Sequence, residues 1–330
     1  DAGWLAALIP EEYGGGGLSL TEASVILEEI NRSGANSGAC HAQMYVMGTL
    51  LRHGSDAQKR TYLPQVAAGT LRLQSFAVTE PTTGTDTTKT RTTAIRKGDR
   101  YIVNGSKQFI SNATHPGSLV FFAVTDPSAG KKGISAFIVD KSTPGFSIAR
   151  VEEKLGQKAS DTSSLSFEDM EVPEDQRIGA EGDGYKIALS TLESGRIGIA
   201  AQSVGMARAA LEYAIGYAKD RKAFGQSIVD FQAVGFRLAD AKTKLEAARQ
   251  LTLHAARLKA DGRPALEAAC MAKLFASEAA EAICTASIQT LGGYGFLADY
   301  TVERIYRDVR VCQIYEGTSD VQKIIIQRAL

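Results

Sequence analysis

The sequence predicts a multidomain α+β fold: a helical N-terminal segment, a middle β domain of barrel or sandwich type, and a C-terminal antiparallel four-helix bundle. Three observations carry this. Apolar residues recur at helical spacing up to about Ser75; the period changes to two from Phe76 to about Val172; long alanine-rich helical repeats take over from Gly184. The boundaries follow as 1–75, 76–180 and 181–330.

In the first segment, Ser19 and Glu22 form a capping box after the glycine run Gly14 to Gly17, launching TEASVILEEI, and Ser55 with Gln58 forms a second before AQKRTYLPQVAAG. In the second, RYIVNGSKQFIS reads as a hairpin around Asn104-Gly105, a pair that accepts a type I′ turn. LVFFAVTD, GISAFIVD and SLSFEDMEV follow as strands, separated by turns such as Thr143-Pro144-Gly145. The third holds one helical stretch from Tyr185 to Gly225, a second from Asp230 to Gly262 and a third from Pro264 toward Leu291, whose small residues favour close packing.

Composition excludes several classes. Lys+Arg 37 against Asp+Glu 37 over 330 residues gives no global field toward nucleic acid or an anionic membrane. No apolar run approaches the ~20 residues that span a bilayer. Cys40, Cys270, Cys284 and Cys312 are scattered, with no metal-ligand spacing, and read as free thiols. There is no Walker loop, Gly292-Gly293-Tyr294-Gly295 has no strand before it, and none of the four histidines accompanies a Gly-x-Ser-x-Gly.

Five motifs remain: FAVTEPTTGTD (76–86), KQFISN (107–112), DRKAFGQ (220–226), QTLGGYGF (289–296) and QIYEGTSD (313–320). Each alone has a plain structural explanation, respectively a strand-turn, a strand arm, a helix end, a helix C-cap and a solvated loop. In this order, and together with IPEEYGG (9–15), KLGQKAS (154–160), FEDMEVP (167–173) and LESGRIGIAAQ (192–202), the chain resembles the acyl-CoA dehydrogenase family of flavoenzymes. The resemblance runs from Ile9 to the last residue. It implies residues preceding IPEEYGG, hence an apparently truncated N-terminal helical domain.

The resemblance further implies FAD between the β domain and the bundle, with acyl-CoA along the flavin. Phe76, Val78, Thr79, Gly84 and Thr85 would line the isoalloxazine and pyrophosphate, with Thr85 also near the substrate. Phe109 stands where the family often has tryptophan, and Ser111 where it often has threonine. Arg221, Phe224, Gln289 and Gly293 resemble residues that reach the FAD of a neighbouring subunit, and Thr318 and Asp320 would close over the cofactor. A homotetramer, a dimer of dimers, is the implied assembly. The implied compartment is the cytoplasm in a bacterium or the mitochondrial matrix in a eukaryote.

The implied reaction oxidises the Cα–Cβ bond of an acyl thioester to the trans-2-enoyl-CoA, with electrons passed to an electron-transfer flavoprotein. Such a site must hydrogen-bond the thioester carbonyl and supply a base whose pKa rises to ~6–7 in a dry pocket. By resemblance Glu316 is that base, set between Tyr315 and Gly317, and its amide donates to the carbonyl. Some members carry the base on the bundle helix one residue before the arginine of LESGR; that position is Gly195 here, so a single base at Glu316 is self-consistent. Glu193 and Arg196 would contact the pantetheine, or else form a salt bridge within the bundle. Two alternatives remain, an oxidase delivering electrons to oxygen and a non-catalytic CoA-ester-binding protein; intact Glu316 and FAVTEPTTGTD argue against the latter. Chain length is open. His41 to Met47 would border the pocket floor, with His41 in a packing role, and Ser37 disfavours a dicarboxyl substrate.

Overall fold

The computed structural model describes residues 3–330. Helices α1 (Leu20–Arg32), α2 (Gly38–His53) and α3 (Asp56–Ala67) come first. Strands β1 (Leu73–Ala77), β2 (Thr93–Lys97), β3 (Arg100–Ser111), β4 (Ser118–Val124), β5 (Ile134–Asp140), β6 (Phe146–Val151), β7 (Thr162–Pro173) and β8 (Arg177–Ile178) follow. Then come α4 (Gly184–Asp220), the short strands β9 (Lys222–Ala223) and β10 (Gln226–Ser227), α5 (Gln232–Ala260), α6 (Leu266–Leu291), α7 (Thr301–Val309) and α8 (Ser319–Gln327).

The chain forms two compact units. One comprises the residues up to Ser19, Gly38–Glu153 and Ala159–Leu192; the other comprises Leu20–Ser37, Lys154–Lys158 and Glu193–Leu330.

In the first unit the strands make one mixed sheet in the order β6-β7-β3-β2-β4-β5-β8, with β1 pairing parallel to β4. β4 and β5 are almost wholly apolar and buried along their length, as strands covered on both faces must be. Phe121 stacks on Phe137 at 5.2 Å and meets Phe167 at 5.0 Å, at the centre of this core. The capping box at Ser55 and Gln58 is formed in both directions.

The hairpin expected at Asn104-Gly105 is corrected. β3 runs unbroken through that pair, and the two-residue turn is Gly98-Asp99, where Lys97 of β2 faces Arg100 of β3. Gly105 instead marks a shift in register against β7. Its φ is 148°, and a Cβ there would lie 2.6 Å from Thr92 Oγ1, so glycine is required by a close approach of strands rather than by a turn.

A buried ion pair ties the residues after β1 to β3. Lys107 donates to Glu80 at 2.8 Å and to the Val78 carbonyl at 3.3 Å. Glu80 also accepts from the amides of Arg91 and Thr92 and from the Thr92 hydroxyl. Burial pushes Lys107 down to about 8, and the Glu80 carboxylate opposes that fall.

The second unit is the helical bundle, with an alanine-rich core that includes Ala200, Ala207, Ala210, Ala272, Ala276 and Ala280. It includes α1, which does not group with α2 and α3, and the short stretch Lys154–Lys158, while α4 up to Leu192 groups with the first unit. For α1 the reasons are specific. Glu28, 3% exposed, accepts from both Arg208 of α4 and Arg249 of α5 at 2.9 Å, and Arg32 pairs with Glu212 at 3.0 Å. Among the described residues no helix is long and apolar enough to cross a membrane.

Removing one member of a buried pair strands the other charge. Lys107→Met is therefore expected to lower the unfolding free energy by about 3 kcal/mol, and the double change with Glu80→Gln to cost clearly less than the two single losses added. Urea unfolding of the parent and three variants gives the coupling; additive losses would show the pair to be uncoupled.

Candidate active site

Glu316 lies in the turn that joins a short 3-10 segment, Arg310–Gln313, to α8. Its φ is 54° and that of Gly317 is 88°, so two successive residues are left-handed. For glycine this is free; for a glutamate it costs ~1–2 kcal/mol and must be imposed by neighbours. Two side chains impose it. Lys273 of α6 donates to the Gly317 carbonyl at 2.7 Å. Gln322 of α8 donates to the same carbonyl at 2.8 Å and to that of Glu316 at 3.1 Å. Thr318 caps α8, its hydroxyl oxygen accepting from the Val321 amide at 3.3 Å.

The Glu316 side chain turns toward α4. A Cβ at Gly195 would fall 2.5 Å from Glu316 Oε2 and 2.9 Å from its Cδ, so only glycine leaves the carboxylate its place. Oε2 is sealed from solvent and has no hydrogen-bond partner among the described residues. Burial pushes this carboxyl up to about 7, against the opposing pull of the Arg196 and Lys273 charges. Arg196 is 4% exposed and its Nε also lacks a partner. An unpaired carboxylate that titrates near neutrality in a dry setting is what a general base needs.

The other expected substrate residues are placed less simply. Glu193 forms a 2.7 Å ion pair with Lys259 of α5, the salt bridge within the bundle that its residue type allows. Arg196 does not join it and instead faces Glu316. The Tyr315 hydroxyl points into the bundle, donating to Gln202 Oε1 at 3.3 Å and lying 3.6 Å from Cys312 Sγ. Burial holds its phenol well above the ordinary range.

The expected cofactor residues fall into a group on each unit. In the first, Phe76 packs edge-on to Tyr45 at 5.4 Å and Phe122 at 5.0 Å, Val78 is buried, and Thr79 accepts from the Gln108 amide at 2.8 Å. That bond joins β1's continuation to the end of β3, where Phe109 stands 61% exposed at φ 60° and Ser111 is half-buried. Gly84 and Thr85 are exposed in the loop between β1 and β2.

In the second unit an open groove is lined by Arg221, Ile228, Thr290, Gly292, Gly293 and Tyr294. The Arg221 guanidinium lies over the Tyr294 ring at 5.8 Å. Phe224, 98% exposed at φ 51°, crowns the turn between β9 and β10, and Gln289 and Asp320 are exposed. Taken separately, the first unit offers an exposed phenylalanine beside small hydroxyls, and the second an arginine beside bare glycine backbone, each chemistry that suits part of a large, flat, anionic cofactor such as a flavin dinucleotide.

Sequence reading missed Lys273 and Gln322. A signal existed for each: a lysine inside the apolar helix run ACMAKLFAS, and a polar residue inside the run VQKIII.

Comparison with known proteins agrees along the whole chain. The N-terminal, middle and C-terminal domain models of acyl-CoA dehydrogenases match residues 1–70, 75–170 and 182–330. The mitochondrial short-chain specific acyl-CoA dehydrogenase of Homo sapiens is 43% identical over 327 residues, 98% of this chain and 79% of the relative. A chain in a solved structure concerning the electron transferring flavoprotein of Acidaminococcus fermentans superposes with a TM-score of 0.97 at 46% identity, over 99% of this chain and 87% of that one. Butyryl-CoA dehydrogenase from Megasphaera elsdenii superposes at 0.96 with 39% identity and the same coverage.

The electrostatics make a prediction independent of any activity. A carboxyl whose folded pKa is raised binds its proton more tightly in the folded state. Its contribution to stability is full below the ordinary value of 4.5 and is lost as pH rises to about 7. At 1.36 kcal/mol per pKa unit the loss is about 3 kcal/mol. Glu316→Gln lacks the penalty, so its stability relative to the parent should grow by that amount between pH 4.5 and pH 8. Calorimetric Tm values of both proteins at the two pH values read it; an unchanged gap would mean an unperturbed carboxyl.

Proposed function

Since the chain belongs to the acyl-CoA dehydrogenase family and so uses FAD, we propose that it oxidises a short, straight-chain acyl-CoA thioester at Cα–Cβ with Glu316 as the base. The observation that carries this is the Glu316 carboxyl, pushed by burial up to about 7 and seated against Gly195, with Oε2 closed off from solvent and without a hydrogen-bond partner among the described residues. The short-chain substrate is supported by the short-chain and butyryl-CoA enzymes among the relatives. An electron-transfer flavoprotein as acceptor is supported by the Acidaminococcus fermentans structure.

Bound FAD supplies the acceptor for the β-hydride. The chain's own residues do the rest. Glu316 takes the α-proton as the Cα–Cβ double bond forms, and its backbone amide polarises the thioester carbonyl, so negative charge at Cα is stabilised as it develops. The charge of Arg196 keeps the carboxyl from rising further, so that a useful fraction is ionised near neutral pH. Tyr315, kept neutral by burial, limits water at the base. The β-unit group of Phe76, Val78, Thr79, Gly84, Thr85, Phe109 and Ser111 would hold the flavin, with Thr318 and Asp320. Arg221, Phe224, Gln289 and Gly293 would reach the FAD of a neighbouring subunit in a homotetramer.

Glu316→Gln preserves volume and removes the base. It should retain yellow FAD and bind butyryl-CoA, while anaerobic flavin reduction slows by a factor of about 1,000 or more, the signature of a lost transition-state interaction. Reduction within tenfold of the parent would exclude Glu316 as base.

Because Gly195 and the Glu316 carboxylate meet at one point, the base should be movable. Glu316→Gly with Gly195→Glu is expected to recover at least tenfold over Glu316→Gly alone in the same stopped-flow assay. A folded, flavin-loaded double variant with no recovery would show that the two positions do not serve one substrate face.

A further inference from the structure

Resting on the reading of Glu316 as base, we infer that Lys273 and Gln322 are positioning residues that hold the catalytic turn in its left-handed conformation while leaving the carboxylate unpaired.

The geometry distinguishes this from ordinary packing. Lys273 and Gln322 are both fully buried, on different helices, α6 and α8. Their donors converge on two consecutive carbonyls, those of Glu316 and Gly317. Those carbonyls belong to the two residues with φ of 54° and 88°. A Cβ on Gly317 would meet Gln322 Nε2 at 2.7 Å, so the amide is pressed against the turn. Without Gln322 the Glu316 carbonyl loses its side-chain donor, and without Lys273 the Gly317 carbonyl loses one of two, so either loss weakens the hold on the left-handed turn.

The choice of a lysine is informative. A direct ion pair would have been the simplest way to bury both charges, but it would hold the carboxylate ionised and weaken it as a base. Lys273 directs its hydrogen bond to the following residue's carbonyl instead. Its charge then acts on Glu316 through space, which is the arrangement for tuning a base without capturing it.

Several groups face the Glu316 carboxyl or lie near it. Arg196 comes from α4, Lys273 and the Cys270 thiol from α6, and Tyr315 and the Cys312 thiol from its own segment. Only Arg196 and Lys273 are cations. Neutralising Lys273 therefore shifts the base's titration upward, whereas removing the neutral Gln322 amide leaves it in place.

The test uses the FAD-loaded enzyme, butyryl-CoA and stopped-flow flavin reduction from pH 6 to pH 9, with infrared titration of the Glu316 carboxylic acid band against Glu316→Gln as blank. Lys273→Met is expected to lower the limiting reduction rate ten- to a hundredfold, with less than threefold change in half-saturation. Its rate limb and infrared titration should both move to higher pH. Gln322→Met should lower the rate comparably with the limb unmoved, and Lys273→Arg should restore the limb.

Full rates in flavin-loaded Lys273→Met, or an unmoved limb, would overturn the inference. Should Lys273→Met fail to fold, Gln322→Met decides it alone, and a full rate there would have the same force. If Glu316→Gln reduces flavin normally, the base reading itself fails. If Glu316→Gln is inactive and both clamp variants are normal, only the clamp fails.

Discussion

The bundle unit is organised around a half-buried glutamate, Glu316, whose Oε2 is closed off from solvent without a hydrogen-bond partner among the described residues. Burying an ionisable group without a partner is costly, and a fold tolerates it only where the surroundings fix the group firmly. Here α4 contributes a bare backbone at Gly195, α6 a lysine aimed at the turn, and α8 an amide aimed at the same turn. Each contact removes one way for Glu316 to relax: toward a partner, toward water, or toward a right-handed backbone. The close alanine packing of the long helices is what lets three of them meet within hydrogen-bond distance of one five-residue turn.

A parallel arrangement serves the β unit. The Glu80 and Lys107 pair lies between the end of β1 and β3, and it sits inside two of the motifs that the sequence marks out. With the Thr79 carbonyl accepting from the Gln108 amide, the pair fixes the backbone just before the exposed Phe109. The Glu80 carboxylate thus has a direct ion pair and three further donors, whereas Glu316 Oε2 has no hydrogen-bond partner among the described residues.

Much of the fold was legible because it rests on local periodicity. The change from helical to alternating pattern at Phe76 and back near Gly184 matches where the strands begin and the long helices start, and the Ser55 capping box formed as its spacing requires. The hairpin at Asn104-Gly105 misread a local signal: the same glycine that suits a tight turn also suits a close strand crossing, and Thr92, thirteen positions before Gly105, made the difference. The grouping of α1 with the bundle was not legible either, since it depends on Arg208 and Arg249, far along the chain from Glu28.

The sequence by itself determined the order of elements, the family and the identity of the candidate base, because motif order and short-range pattern survive in one dimension. Tertiary structure decided how that base is kept available. The approach of Gly195 to Oε2, the pairing of Glu193 with Lys259 in place of Arg196, and the convergence of Lys273 and Gln322 on one turn join residues dozens of positions apart or on separate helices. Such contacts are set by helix packing distances and by the need to satisfy buried carbonyls, and no local pattern encodes either.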